Sequence, residues 1–480
     1  MSTSGRVAVV GAGISGLATA IALADTGNID VTVFESADRI GGKIDASPFA
    51  GVTGVDEGAD AFLARVPEAV ALAHRVGLGD ELVSPEPVGA AVWHDGLHPI
   101  PDGLVLGLPG KVLPLATTHL LSWRGKARAA LEPFLPRTST EPDSIGEFVR
   151  ARFGDEVHER LVDSLVGSIY AADTDRFSLA EVPQLAALAD GNRSVLLAAR
   201  RQRRSQAGTA TARSSPIFAS PRGGIGSFVR AIADAVVASG GAIRTGCSIA
   251  TVDAAPDGRW TLTTETGPLG ADTPVPPGDL TFDAVVFATP AAATAAALAA
   301  AAPAATTLLR QAETVDVIMV TLHVRGDQWP DRLRGLSGYL VPKPDQRWVT
   351  AASFASQKWG HWRPPSGGEI LRVSIGRDGM AVMHLDDDDE VLRVVLEDLE
   401  HHLGVRFEPV EIRITRWPSA FAQYRPHHSA WVDAIEAELP AGVFVTGAGF
   451  RGIGIPACVR AAGSVAARAS TRAQLLAESP

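Results

Sequence analysis

Between residues 7 and 43 the chain has few ways to fold. Val7-Ala8-Val9-Val10 is a short apolar run of strand type, Gly11-Ala12-Gly13-Ile14-Ser15-Gly16 follows at once, and Leu17 to Ala24 continues as an alanine- and leucine-rich helix. A second apolar run, Val31-Thr32-Val33-Phe34, ends on Glu35 and leads to Arg39-Ile40-Gly41-Gly42-Lys43. Glycines at this spacing let the backbone turn tightly and bring a helix N-terminus against a pyrophosphate. An acid about 20 residues on, at the end of the next strand, can accept a hydrogen bond from a ribose hydroxyl. The strand–turn–helix context is what separates this motif from a chance glycine-rich turn. Arg6, the apolar run and Ala22-Leu23-Ala24 imitate a secretory signal, but three glycines and Ser15 interrupt it. A mature, cytoplasmic N-terminus is expected.

With 480 residues the chain exceeds one core, so two or three domains are expected. Its net charge of -11 argues against nucleic acid as a partner. Cys247 and Cys458 are too far apart for a metal or redox spacing and read as reduced thiols. Residues 284–302 carry no charge, yet they divide into a buried strand (Ala284 to Phe287), a turn at Thr289-Pro290 and an alanine-rich helix rather than a membrane span. The acidic run Asp386 to Glu390 lacks the spacing and glycine of a calcium loop and suits a helix N-terminus. His427-His428 has no further ligands and is read as loop, so no metal site is expected.

Residues 97–214 are punctuated by proline and otherwise helical in pattern, with Ile145 to Ser168 near a 3.6 period. Arg200 to Arg204 and the polar stretch to Ser215 read as a solvated loop. Arg222-Gly223-Gly224-Ile225-Gly226 opens a helix over 228–239. Strand patterns follow at 242–244, 249–252, 260–263 and 284–287, then at 315–324, 337–341, 348–354, 370–375 and 411–417, with an amphipathic helix over 387–402. Val443-Phe444-Val445-Thr446-Gly447 runs through a second glycine-rich turn into a last helix.

Arg39-x-Gly41-Gly42-Lys43 resembles the extended fingerprint of the flavoprotein superfamily of amine oxidases, phytoene desaturases and porphyrinogen oxidases, and this resemblance implies FAD. Within it, Glu57 to Arg65, Gly125 to Ala130, Ser168-Ile169-Tyr170-Ala171-Ala172-Asp173, Gly338 to Pro342, Lys358-Trp359, Thr415-Arg416-Trp417, Gln423-Tyr424 and Gly452 to Pro456 are similar to porphyrinogen oxidases of haem biosynthesis, most of all the soluble bacterial type acting on coproporphyrinogen III. The chain departs from that pattern where Ser168 and Ala172 replace glycines, and at Phe421-Ala422 and His427-His428, which bears on the shape of the pocket.

The resemblance implies an α/β fold: a Rossmann-like FAD-binding domain in three segments (1–90, 215–298, 421–480), a helical insertion (91–214) and an α+β substrate-binding sheet domain (299–420). Cofactor contacts are expected at Gly11, Gly13, Ile14, Ser15 and Gly16, at Glu35 and Ser36, and at Arg39, Gly41, Gly42 and Lys43. Further ones are expected at Gly58, Ala59 and Asp60, at Ile249 and Trp417, and at Gly447, Ile453, Gly454 and Ile455. The implied reaction takes six electrons from a porphyrinogen in three hydride transfers to the flavin, with oxygen reduced to hydrogen peroxide. No catalytic base is assigned. The four propionates of coproporphyrinogen call for fixed cations, and Arg65, Lys358 and Arg425 are the candidates, with Ser168 and Tyr170 in the substrate wall. Protoporphyrinogen IX, with two propionates, is the rival substrate. A different flavin oxidase or desaturase and a non-catalytic porphyrin-binding flavoprotein are the rival functions. No stable membrane insertion is expected, and a transient contact with the next haem-pathway enzyme is the one protein partner considered.

Overall fold

The computed structural model describes residues 5–207, 216–265 and 280–477. At its centre lies a five-stranded sheet with every neighbouring pair parallel, in the order Ala242–Arg244, Ile29–Phe34, Gly5–Val10, Ala284–Phe287, Val443–Val445. Val7, Ala8 and Val9 are fully buried. A parallel sheet covered on both faces needs unbroken apolar strands, which is why the alternation of a half-exposed strand is missing here. The helices Ile14–Ala24, Ile225–Ala238 and Ile455–Ala477 cover one face. An antiparallel ribbon (Ile249–Ala254, Trp260–Thr264, Thr281–Phe282) and the helices Ala291–Ala297, Pro303–Leu309 and His428–Glu438 cover the other. Strands from the start, middle and end of the chain thus form one α/β nucleotide-binding fold.

A seven-stranded sheet forms the second body, in the order Glu411–Ala422, Thr314–Val324, Glu369–Ile375, Val349–Phe354, Leu336–Leu340, Gly89–Trp93, Leu97–Pro99. The helix Asp388–Leu403 packs on it. A third core gathers the helices of residues 112–207 around Phe148, Phe153 and Phe177.

Several expected limits move. Gly89–Trp93 and Leu97–Pro99 belong to the seven-stranded sheet, where Ala91 and Trp93 join its core, so the helical insertion does not begin at 91. A limit at 298 would divide Ala291–Ala297 from Pro303–Leu309, which share one core under the parallel sheet. A limit at 420 falls inside the strand Glu411–Ala422. The segment 145–168 is not one helix: Gly154, at φ +89, ends Ile145–Phe153, and His158–Gly167 is wound as a π-helix in which Ser164 Oγ donates to Glu159 O at 3.1 Å. Arg200 to Arg204 form the end of the helix Val195–Ala207 rather than a loop, because Val195, Leu196 and Ala199 anchor that helix in the third core. Residues 208–215 lie outside the described residues.

Candidate cofactor and substrate site

A cavity of about 450 Å³ runs across the ends of the parallel strands. Its centre is the turn between Val10 and Ile14. Gly11 sits at φ +102, and a Cβ on Gly16 would lie 1.8 Å from the Gly11 carbonyl oxygen, so only glycine closes this turn against the helix. Glu35 Oε2 accepts from Ala12 N at 2.8 Å and Oε1 from Ala37 N at 3.0 Å. Oε1 also accepts from Ser36 Oγ at 3.3 Å, which leaves Oε2 with a lone pair for a further donor. Gly41 N donates to Ala12 O at 2.9 Å, and a Cβ on Gly42 would lie 3.3 Å from Gly13 Cα. The second glycine pair therefore lies directly on the first turn.

Gly11, Gly13, Ile14, Ser15, Glu35, Ser36, Gly41, Gly42, Lys43, Ile249 and Gly447 line this one cavity. Cys247, Ser248, Thr289, Ala448, Gly449 and Cys458 line it too, and none of them is among the cofactor contacts expected from sequence. Both cysteines are there because they follow a strand end and open a helix, positions their own spacing does not reveal. Two expected residues differ in role. Gly16 acts from beneath, through its lack of a side chain. Arg39 wraps its own loop, donating to Gly42 O at 2.9 Å and Ile40 O at 3.2 Å, and does not line the cavity.

Residues 57–60 and Trp417 pack beside this cavity, behind Lys43, without lining it. Trp417 Nε1 donates to Glu57 O at 3.0 Å, and a Cβ on Gly58 would lie 2.9 Å from Lys43 O and 3.7 Å from the Trp417 ring. Ala59 is exposed. Asp60 is held by Lys358 Nζ at 2.8 and 3.0 Å, by Trp359 Nε1 at 3.1 Å and by Arg372 at 3.4 Å. Burial pushes the Asp60 carboxyl up, but the Lys358 and Arg372 charges outweigh it and hold it down to about 2. Arg372 also donates to Gly58 O. On the third side, Tyr424 Oη donates to Ala448 O at 2.8 Å and accepts from Gly452 N at 2.9 Å. It thereby ties down the turn whose Gly447, Gly452 and Gly454 all have positive φ. Ile453 packs toward the helical core and Ile455 toward the core between the parallel sheet and the helix Ile14–Ala24.

Lys43 Nζ donates to Ala420 O at 2.9 Å and to Ser419 O, and burial lowers its affinity for a proton. It joins the first cavity to a second one of about 220 Å³, lined also by Gln311, Glu313, Gln423, Arg425 and Trp431. A third cavity, about 120 Å³, lies between the π-helical segment and the seven-stranded sheet. Ser168 lines it, with its Oγ donating to Ser164 O at 2.6 Å. Ala172 is fully buried and does not line it. Tyr170 stacks on Phe177 at 5.1 Å between ring centres, and burial raises its hydroxyl pKa.

The expected cations are differently placed. Lys358 is committed to Asp60. Arg425 is bound between Glu313 and Asp378 at the second cavity. Arg65 is exposed and lines none of these three cavities. The cation on the third cavity is Arg377, which no local sequence signal marks.

The cleft fits FAD on its own geometry. Backbone amides at a helix N-terminus face a cavity that a Cβ at position 16 or 42 would disturb, and a carboxylate stands at the end of the second strand. Among the described residues no helix is long and apolar enough to cross a membrane.

Residues 14–470 match the family of flavin containing amine oxidoreductases. A coproporphyrinogen III oxidase of Bacillus subtilis is 30% identical over 467 residues, covering 95% of each chain. One from Mycobacterium tuberculosis H37Rv is 32% identical over 463 residues, again covering 95% of each. A solved structure from Exiguobacterium sp. 255-15, provisionally assigned as a protoporphyrinogen oxidase, superposes with a TM-score of 0.84 at 27% identity, over 98% of this chain and 100% of that one.

Proposed function

The chain belongs to the flavin containing amine oxidoreductases and is an FAD-dependent oxidoreductase, and from that premise we propose that it oxidises coproporphyrinogen III to coproporphyrin III in haem biosynthesis, with oxygen as acceptor. The observation that carries this reading is identity of 30% and 32% to two coproporphyrinogen III oxidases along nearly the whole of both chains. It includes the middle segments, where flavoproteins of other activities would diverge.

Bound FAD supplies the two-electron acceptor. Three turnovers remove six electrons and six protons from the macrocycle and reduce three oxygen molecules to hydrogen peroxide. The protein's part is placement. Residues 11–16 and 41–43 would hold the FAD phosphates by backbone amides and Glu35 its ribose, with Ile249 lining the same cleft. Residues 57–60, Trp417 and the 447–455 turn would flank its reacting ring. Arg372 and Tyr424 lock those segments from behind by binding their carbonyl oxygens, so the site is organised before substrate arrives. Loss of a hydride leaves a delocalised cation, so no strong base is required, and none is assigned. The cytoplasm as its location and transient contact with the next haem-pathway enzyme belong to the same proposal.

Aerobic turnover of coproporphyrinogen III and protoporphyrinogen IX, compared side by side by porphyrin fluorescence and peroxide, tests it. Faster turnover of the first substrate with matching peroxide is expected. A reversed preference moves the function to protoporphyrinogen oxidation. No turnover of either by the FAD-loaded protein overturns the proposal.

A further inference from the structure

We propose that the third cavity receives one carboxyethyl arm of the substrate and that Arg377 binds the arm's carboxylate through its Nε–H. This inference rests on the porphyrinogen reading above.

Three observations converge. The first is size and lining. A space of about 120 Å³ admits a short side arm but not a four-ring macrocycle. Val317, Met319 and Phe421 offer an apolar stretch, while Arg377 offers a charged donor; the Ser168 and Thr350 hydroxyls, which donate to Ser164 O and Ser374 O, add polar surface. An aliphatic stem with a charged head matches that division.

The second is the state of Arg377. It is 4% exposed, and its two terminal nitrogens each bond Asp163 at 3.0 Å, one of them also donating to Ala172 O. Its Nε is buried with no protein partner. A buried unpaired donor is costly unless something accepts from it, and this one belongs to a residue on the cavity wall. Asp163 Oδ1 also accepts from the Thr174 hydroxyl at 2.7 Å and amide at 3.3 Å. It fixes the guanidinium in orientation, and the remaining donor edge is left for a ligand.

The third is the elimination of other cations. Lys358 and Arg425 are each held by carboxylates outside this cavity, and Arg65 does not reach it. The π-helical winding of His158–Gly167 carries Asp163, and Gly376 precedes Arg377 at φ +101. Both local irregularities serve to bring the pair under the cavity floor.

Arg377→Lys keeps a charge for Asp163 and removes the Nε–H. In the FAD-loaded enzyme it is expected to raise KM for coproporphyrinogen III about tenfold and to weaken coproporphyrin III binding, read by fluorescence quenching, by a similar factor. The kcat and the flavin absorbance spectrum should stay within about twofold and unchanged, respectively. Ser168→Leu fills the cavity without touching the ion pair and should reproduce the loss, which keeps the test decisive if Arg377→Lys does not fold. A folded Ser168→Leu or Arg377→Lys enzyme with wild-type KM and product affinity overturns the inference while leaving the porphyrinogen reading intact. A wild-type enzyme that neither turns over a porphyrinogen nor binds coproporphyrin III overturns both.

Discussion

The cofactor cleft and the cavity beside the seven-stranded sheet are built from different materials. The cleft is backbone: amides at a helix N-terminus, carbonyls pinned by Arg372 and Tyr424, and glycines whose missing side chains define the space. The ground beyond it is side chain against side chain, with Asp60 on Lys358, Asp163 on Arg377, and Arg425 between Glu313 and Asp378. A backbone site tolerates no added volume, because backbone cannot step aside. A site of buried ion pairs tolerates volume better but responds to every change of charge, since removing one partner strands the other in a poor solvent. Substitutions that add a methyl should therefore damage the first region, and substitutions that remove a charge the second.

The sharpest test adds one methyl to the cleft. In Gly16→Ala the new Cβ would sit 1.8 Å from the Gly11 carbonyl oxygen, with Ala288 Cβ at 3.2 Å. Backbone would have to move on one side or the other. Loss of bound flavin is expected, read as flavin absorbance per protein after purification. Full flavin content in a folded Gly16→Ala protein would show that the turn is softer than its geometry indicates.

Next in size is a charge effect behind the 57–60 segment. Asp56 is fully buried at the start of the helix Ile225–Ala238, accepting from Gly226 N at 3.3 Å, and its second oxygen has no protein partner. Burial raises its carboxyl to about 7, against a weaker pull from the Arg372 charge. The folded state thus keeps a proton that the unfolded chain has already released above pH about 4. With more protons bound when folded, this group's contribution to stability falls as pH rises from about 4 to about 7. Asp56→Asn should remove that slope, so the variant gains on wild type across the window by on the order of 3 kcal/mol. Denaturant midpoints at pH 5 and pH 8 check it. A difference between the two proteins that does not change with pH would mean the carboxyl titrates normally.

Glu35→Gln probes the acidic side chain that lines the backbone-built cleft. The amide can still accept from Ala12 N, but the charge that strengthens that bond and the ribose contact is gone. Hydrogen bonds to charged groups contribute about 1.5–3 kcal/mol, so FAD should bind on the order of ten- to a hundredfold more weakly. Titration of the apoprotein with FAD gives the number, and an unchanged Kd would remove Glu35 from the cofactor site.

What sequence could reveal divides along the same line. Gly11 to Gly16, Glu35 and Gly41-Gly42 are legible because each constraint acts within a few residues and leaves its mark in residue type. The strands Gly5–Val10 and Ala284–Phe287 are legible because burial on both faces makes them uninterrupted apolar runs. Arg377 and Asp163 are not, since they meet 214 residues apart and each is locally an ordinary charge. The helix end at Arg200 to Arg204 was hidden because its charges resemble a solvated loop, while the residues that hold it, Val195 to Ala199, lie upstream. The π-helical turn at 158–167 was hidden because a near-3.6 apolar period does not distinguish it from an α-helix.

The smallest effect bears most directly on the comparison. Lys358 can be a propionate partner or part of the wall's internal charge, and the two roles separate in Lys358→Met. As a wall residue it sits 22% exposed with both contacts on Asp60, which also keeps Trp359 and Arg372. Losing it leaves Asp60 partly compensated and partly solvated, so the cost should be well below that of a fully buried pair, about 1 kcal/mol. The variant should unfold at a slightly lower temperature, with KM for coproporphyrinogen III within about twofold of wild type. As a substrate cation it would do the reverse, raising KM tenfold with no loss of stability, and the division between a backbone-built cleft and the self-paired ground beyond it would then need redrawing at this residue.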